Sequence, residues 1–152
     1  MTEKEALNQA MKLCSKKEYA SGEILNKLID WEISAEVASK LVAELIREKF
    51  IDDARYARAF VNDKLKFSRW GKIKIQYMLK QKGVSEQLIK EALENVDTAV
   101  YEEILSQELL KKARTIKTEN EYEFKGKLVQ FASGRGFEYD IAARLAEKIR
   151  KR

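Results

Sequence analysis

Seven lysine and arginine side chains lie between residues 64 and 82, and this segment contains no acidic residue. We call it the basic segment, and its cations are Lys64, Lys66, Arg69, Lys72, Lys74, Lys80 and Lys82. The protein carries 30 basic and 25 acidic residues, so outside the basic segment 23 basic residues face 25 acidic ones. Such a concentration of positive charge predicts a surface that binds a large anion, of which nucleic acid is the commonest. A lysine-rich helix face that only meets solvent is the alternative interpretation.

Two arginines precede the basic segment, and two aspartates precede the arginines. Arg55 and Arg58 are three residues apart and project from the same region of a helical turn. They either extend the cationic surface or pair with Asp52 and Asp53. We expect the aspartates to cap a helix rather than to bind a metal, because the sequence has no histidine and no second acidic cluster at ligand spacing.

Aromatic side chains alternate with the cations at Phe67, Trp70 and Tyr77, and such an arrangement can stack nucleobases. Aromatic residues between helices more often pack in a core. Packing is the prediction for Tyr77, and both roles stay open for Trp70. Gly71 and Gly83 are expected to serve backbone geometry.

Catalytic chemistry has few candidates in this sequence. There is no histidine to act as a base, the single Cys14 lies in an apolar helical stripe without a partner, and no GxxxxGK[ST] loop is present. We therefore predict a protein that acts by binding, without enzymatic activity or a cofactor. The lone cysteine and the short apolar runs further predict a cytoplasmic protein that does not enter a membrane.

Helical periodicity runs through the whole chain, which has no proline and six glycines. Apolar residues recur at spacings of three and four between capping residues, as is typical of short helices joined by tight links. Capping boxes are predicted at residues 2–5 and 118–121, and Ser21 and Ser34 are predicted to cap the second and third helices. The predicted fold class is all-α.

The helices recur at an offset of about fifty residues. Ser34 and Ser85 are 51 residues apart, and Gly83 and Gly136 are 53 apart, and apolar positions align at the same offsets. We predict three tandem three-helix repeats of helix-turn-helix type at residues 1–50, 51–97 and 98–152, with the basic segment in the central one. Because each repeat packs mainly against its neighbour, the molecule should be elongated and curved.

Residues 50–61, with the sequence FIDDARYARAFV, resemble the central signature of the RecX family, the bacterial regulators of the RecA recombinase. The resemblance continues through a basic link and ends at Lys82-Gly83-Val84. Trp70 departs from the family pattern, since a lysine often precedes the glycine there. The flanking repeats match in helix arrangement and length. The positions assigned to this structural motif are Asp52, Asp53, Ala57, Phe60, Gly71, Leu79 and Gly83.

The resemblance implies a modular helical protein that binds the groove of the RecA–single-stranded DNA filament. There it would limit strand exchange, ATP hydrolysis and co-protease activity in DNA repair, homologous recombination and the SOS response. The implied partners are the RecA filament and single-stranded DNA, with duplex DNA left open, and a monomer is the simplest expectation. Two other functions stay open on the residues alone, a helix-turn-helix DNA-binding regulator and a helical adaptor protein.

The predicted tandem arrangement can be tested by solution scattering. A compact chain of 152 residues would have a radius of gyration of about 15 Å. We expect a clearly larger value, because repeats joined end to end extend the chain along one direction. A value near that of the compact chain, measured for the monomer, would contradict the prediction.

Overall fold

Residues 1–149 are described by a computed structural model, and within them the chain forms helices and no strand, which confirms the all-α fold class. A π-helical turn, Lys64–Ser68, directly follows the fourth of the α-helices. The last three residues of the predicted third repeat, 150–152, lie outside the described residues. The α-helices are α1 (Glu3–Lys16), α2 (Ser21–Asp30), α3 (Ala35–Arg47), α4 (Asp53–Asp63), α5 (Lys72–Gln81), α6 (Glu86–Glu94), α7 (Thr98–Ala113), α8 (Glu121–Gly134) and α9 (Tyr139–Glu147).

The chain divides into two compact units, and the division passes through α4 and α5. Unit 1 comprises Met1–Ala59 and Met78–Ala92, which include α1, α2, α3, the first part of α4 and most of α6. Unit 2 comprises Phe60–Tyr77 and the residues from Leu93 onward, which include the π-helical turn, the start of α5, and α7 to α9. The repeat boundaries at residues 50 and 97 stay predictions. Within residues 1–149, no helix is long and apolar enough to span a lipid bilayer.

The core of unit 1 is formed by the apolar faces of its first three helices. The small side chains of Ala6 and Ala10 let α1 pack closely, and larger aliphatic side chains come from α2 and α3. The predicted caps fix the starts of α1 and α3: Thr2 accepts the N–H of Glu5 at 3.1 Å, and Ser34 accepts that of Val37 at 3.3 Å. The buried aliphatic residues of α2 and α3 are Ile24, Leu28, Ala38, Leu41, Val42 and Leu45.

Three helix ends repeat one hydrogen-bond pattern at the predicted register. The left-handed residues that end α2, α5 and α8 are Glu32, Gly83 and Gly136, with φ angles of 67°, 82° and 91°. In each case the next residue is buried and donates its N–H to the carbonyl five residues back, which is a Schellman helix end. These donor–acceptor pairs are Ile33 to Leu28, Val84 to Leu79, and Phe137 to Ala132. The sequence offsets of 51 and 53 residues therefore correspond to a repeated local structure.

Two predicted helix starts are wrong in detail. α2 begins at Ser21 itself, and the Ser21 N–H donates to the carboxylate of Asp53 at 2.8 Å, so α4 supplies the cap. The acceptor lies 32 residues away, which no local pattern reveals. α8 begins at Glu121, and the preceding Asn120 accepts the N–H of Glu123 at 2.9 Å. Residues 118–121 are therefore not a capping box, since asparagine caps a helix better than threonine does.

Gly22 permits a close contact between α2 and the turn after α5 in unit 1. A Cβ atom at this position would lie 2.4 Å from the Lys82 carbonyl oxygen and 2.7 Å from the Gly83 Cα. Backbone atoms on a neighbouring turn cannot move aside as a flexible side chain can. This contact explains a glycine inside a helix, where it is otherwise unfavourable.

We expect Gly22→Ala to lower the free energy of unfolding by roughly 1–3 kcal/mol, because the added methyl overpacks the contact. Gly126→Ala is the matched control, since a Cβ atom there meets nothing within 4 Å. It should raise the free energy of unfolding by up to about 1 kcal/mol, because alanine favours the helix. Denaturant unfolding followed by circular dichroism measures both, and changes of the same sign would contradict the close contact.

Candidate binding surface

The structure divides the predicted cations between the two units. Arg55, Arg58, Lys80 and Lys82 belong to unit 1. The remaining five belong to unit 2, and we call them the unit 2 cations: Lys64, Lys66, Arg69, Lys72 and Lys74. The two groups differ in how their charge is balanced.

Arg55 of unit 1 is neutralised by a carboxylate outside the basic segment. Its guanidinium donates to both carboxylate oxygens of Glu18, at 2.7 and 3.1 Å, and lies 3.8 Å from Asp52. The hydrogen bond to Glu18, followed by the charge of Glu18, raises the pKa of Arg55, so the pair stays ionised. Asp52 also caps α4 by accepting the N–H of Arg55 at 3.0 Å, which confirms the predicted capping role.

Two lysines of unit 1 are also paired. Lys82 lies 3.1 Å from Glu23, and Lys80 lies 3.2 Å from Glu86. Arg58 is exposed on α4. Most of the positive charge predicted for this part of the chain is therefore offset by carboxylates.

The unit 2 cations have no carboxylate within 4.0 Å among residues 1–149. Arg69 donates to the neutral side-chain oxygen of Gln107 at 3.0 Å. Lys72 places its ammonium nitrogen 4.9 Å from the centroid of the Tyr101 ring. Such contacts orient a cation without neutralising it. The excess charge of the basic segment is therefore concentrated in unit 2.

Trp70 lies at the centre of a cation–aromatic cluster. The ammonium nitrogens of Lys64 and Lys74 are 4.9 and 4.4 Å from its ring centroid, and Phe60 meets it edge-on at 6.4 Å. Each cation–ring contact stabilises by roughly 0.5–1 kcal/mol at an exposed site. The half-buried Trp70 thus orients Lys64 and Lys74.

Tyr77 does not pack in the core, so its predicted role is wrong: its side chain is 60% exposed. α5 buries Ile75 and Leu79, which are four residues apart on one face, and Tyr77 stands midway between them on the other. Phe67 in the π-helical turn is 81% exposed. Both rings are free to meet a partner.

The start of α5 is held by hydrogen bonds from distant parts of unit 2. The N–H of Gly71 donates to the Arg135 carbonyl at 2.8 Å, and that of Ile73 donates to the Gly136 carbonyl at 3.0 Å. The N–H of Lys72 donates to the Tyr101 hydroxyl at 2.9 Å. The first amides of a helix have no partner within it, so these acceptors satisfy groups that would otherwise need water.

Gly71 is required by the closeness of this contact. A Cβ atom there would lie 2.3 Å from the carbonyl carbon and oxygen of Gly136. The Tyr101 hydroxyl that accepts from Lys72 in turn donates to Glu138. Burial, and then the hydrogen bond to Glu138, raises the pKa of Tyr101, so its hydroxyl stays protonated at neutral pH. The network therefore fixes the orientation of α5 relative to the turn between α8 and α9.

Lys72 and Lys74 occupy the first turn of α5, where no acidic residue is present. Helices α1, α3, α6 and α8 carry acidic residues at this place. Lysines at a helix N-terminus are opposed by the helix dipole, so helix stability does not explain them. Because the first amides of α5 already have acceptors, the two ammonium groups themselves are what favours binding of an anion here.

No sequence pattern predicted which residues position these lysines. Tyr101, Arg135 and Glu138 lie far along the chain from the basic segment and in no recognisable motif, and Gly136 stood out only as a repeat of Gly83 at an offset of 53 residues. Among residues 1–149, no group of histidine, cysteine, aspartate or glutamate side chains could hold a metal ion.

Two family models match the chain. Residues 52–93 match the second three-helix domain of RecX, and residues 100–151 match its third three-helix domain. The chain is also similar to the solved RecX from Lactobacillus salivarius, with a TM-score of 0.87 and 23% identity over 96% of this chain and 95% of that one. At this identity the likeness shows a shared fold.

Several proteins named "Regulatory protein RecX" are similar in sequence. The protein of Leuconostoc mesenteroides is 32% identical over 95% of this chain and 54% of its own length. That of Clostridium botulinum strain Eklund 17B is 41% identical over 68% of this chain and 49% of its own length. That of Chlorobium phaeobacteroides is 32% identical over 90% of this chain and 87% of its own length. The chain thus spans about half the length of the first two relatives and most of the third.

We expect Tyr101→Phe to lower the free energy of unfolding by roughly 1–3 kcal/mol, because the Lys72 N–H loses its acceptor and Glu138 its donor. Tyr122→Phe is the control, since Tyr122 is 89% exposed and should tolerate the change. Thermal unfolding of the two variants measures the difference. Equal midpoints would show that the hydroxyl contributes nothing.

The raised pKa of Tyr101 also predicts a pH dependence. The stability it contributes is present below the unfolded tyrosine pKa of about 10 and is lost as pH rises above it, because the unfolded chain releases the proton more readily. The alkaline loss should be smaller in Tyr101→Phe than in the unchanged protein. Comparing unfolding midpoints between pH 8 and 11 tests this, and parallel curves would contradict it.

Proposed function

Because the chain belongs to the RecX family, we propose that it regulates the RecA recombinase by binding the RecA–single-stranded DNA filament. Bound there, it lowers strand exchange, ATP hydrolysis and co-protease activity, and so takes part in DNA repair, homologous recombination and the SOS response. It acts as a cytoplasmic monomer, by binding alone, without enzymatic activity or a cofactor.

The observation that carries this proposal is the set of unit 2 cations without carboxylate partners. A filament of protein and single-stranded DNA presents phosphates and surface carboxylates, and both form strong, charge-assisted hydrogen bonds with lysine and arginine. Lys72 and Lys74 are attached to a helix start that hydrogen bonds hold in place. Less conformational entropy is then lost on binding than for lysines on a mobile loop.

The unit 1 cations have smaller roles in this proposal. Arg55, Lys80 and Lys82 would each have to leave a carboxylate partner before they could bind another anion. Arg58 is exposed and needs no such exchange. Trp70 contributes mainly by orienting Lys64 and Lys74.

Direct contact with single-stranded DNA has a measurable salt signature. Each phosphate neutralised on a single strand contributes roughly −0.7 to the slope of log affinity against log salt concentration. Contacts from about four of the unit 2 cations would give a slope near −3. A slope near zero for free single-stranded DNA, with undiminished affinity for the filament, would place the contacts on the protein component of the filament.

We expect the protein to lower DNA-dependent ATP hydrolysis by RecA at substoichiometric amounts. Lys72→Glu with Lys74→Glu should require at least about tenfold more protein for the same effect, because two attractive contacts become repulsive. Lys4→Glu with Lys12→Glu makes the same change in net charge on the exposed face of α1 and is the matched control. An unchanged hydrolysis rate at saturating protein would reject the proposal.

The other two functions predict different results in the same preparations. A sequence-specific DNA-binding regulator would prefer one duplex strongly over random competitor DNA, whereas a filament regulator would bind duplexes weakly and uniformly. A helical adaptor protein would show neither duplex preference nor an effect on hydrolysis.

A further inference from the structure

A groove lies on the surface of unit 2, lined by the π-helical turn region and α7. Ala99, Val100 and Ile104 of α7 supply aliphatic lining, and Lys66 and Arg69 supply two cations. The groove is open to solvent and has a volume of about 440 Å³. It is thus large enough to hold a few side chains of a partner.

The backbone beside this groove is irregular in two ways. Lys64–Ser68 is π-helical, and Arg69 has a φ of 58°, the left-handed conformation that a residue with a side chain seldom adopts. The turn is closed by the Trp70 N–H, which donates to the Lys64 carbonyl at 3.0 Å. Such turns cost energy relative to an α-helix and occur frequently at functional sites. Here the turn brings Arg69 to α7, where it donates to Gln107 at 3.0 Å.

The charge of the groove is positive. One carboxylate, Glu103, is among the lining residues, and it already accepts a hydrogen bond from Gln107 at 3.2 Å. Lys66 is exposed and has no carboxylate within 4.0 Å among residues 1–149. A ligand with negative groups is therefore favoured over a neutral or positive one.

The lining distinguishes between two kinds of anionic ligand. The lining residues include no aromatic ring, and single-stranded nucleic acid gains much of its affinity from bases stacked on such rings. The side chain of Val100 is 45% exposed, and burying it requires an apolar group on the partner. A peptide that carries an aliphatic or aromatic side chain beside carboxylates meets both requirements.

We propose that this groove binds a short acidic peptide segment of a partner protein. An apolar side chain of the segment packs against Val100 and Ile104, and flanking carboxylates pair with Lys66 and Arg69. Lys66 and Arg69 also belong to the unit 2 cations, but the apolar part of this site has no role in the proposed filament binding, and peptide binding can be tested without a recombinase. The two proposals can therefore fail separately.

The test selects peptides from a random 12-residue phage library on the full chain, with counter-selection on Val100→Ser. Leu110→Ser is the matched control, because Leu110 lies on the same helix, is 51% exposed and does not line the groove. Both variants leave the charge unchanged and remove a side chain that is partly in solvent. Circular dichroism verifies that each variant is folded.

We expect the selected peptides to carry carboxylates next to leucine, isoleucine or phenylalanine. A fluorescent copy should bind Val100→Ser about tenfold more weakly than the unchanged chain, which corresponds to the loss of about two buried methyl groups. Leu110→Ser should bind it with unchanged affinity. Lys66→Gln with Arg69→Gln should weaken binding and reduce its dependence on salt.

Three results would overturn the proposal. The first is no enrichment over the counter-selection, and the second is enrichment of peptides without carboxylates. The third is a dT12 oligonucleotide that binds more tightly than the selected peptide and loses as much affinity in Val100→Ser, which would assign the groove to nucleic acid.

Discussion

The arrangement of the cations proposed for binding in unit 2 depends on how the first amides of α5 are satisfied. A helix cannot supply acceptors for its own first turn, so the start of α5 relies on two carbonyls from the α8–α9 turn and on the Tyr101 hydroxyl. These contacts are possible because Gly71 and Gly136 bring two backbones together where no Cβ atom fits. The direction of Lys72 and Lys74 follows from this junction.

The same junction places positive charge where the helix dipole disfavours it. Two lysines stand at the positive end of α5, and the compensating contacts come from aromatic rings, with Trp70 beside Lys74 and Tyr101 beside Lys72. Aromatic rings orient the ammonium groups and leave their charge available. In unit 1, by contrast, carboxylates neutralise most of the predicted cations. Lysines and arginines that are close in sequence are thus mostly neutralised in unit 1 and left charged in unit 2, according to whether a carboxylate or an aromatic ring packs beside them.

The repeated helix end shows why some positions need glycine and others do not. Glu32 adopts the left-handed conformation with a full side chain, so positive φ alone does not require glycine. A Cβ atom at Gly83 would lie 2.6 Å from the Gly22 Cα, and one at Gly136 would lie 2.3 Å from the Lys74 Cβ. Both glycines allow another segment of the same unit to rest on the turn. The same left-handed helix end therefore recurs in the chain, and the segment that packs against it decides whether the position must be glycine.

The sequence by itself determined the all-α fold class, the caps at Thr2 and Ser34, the register of the helix ends and the resemblance to the RecX family. The helices and their caps depend on residues within about one or two helical turns of each other, where spacing dictates which groups meet. The register and the resemblance depend on the order of such local signals along the chain. The predicted cap at Ser21 failed because the carboxylate of Asp53, 32 residues away, accepts the Ser21 N–H.

Only the tertiary structure decided which cations have a carboxylate partner and which do not. Arg55 pairs with Glu18 across 37 positions and Lys82 with Glu23 across 59, while Lys64 and Lys74 meet an aromatic ring. The groove beside Val100 likewise exists only where the π-helical turn meets α7. Charge in a sequence is a sum over residues, but neutralisation requires a carboxylate within a few ångströms, and chain folding alone sets that distance.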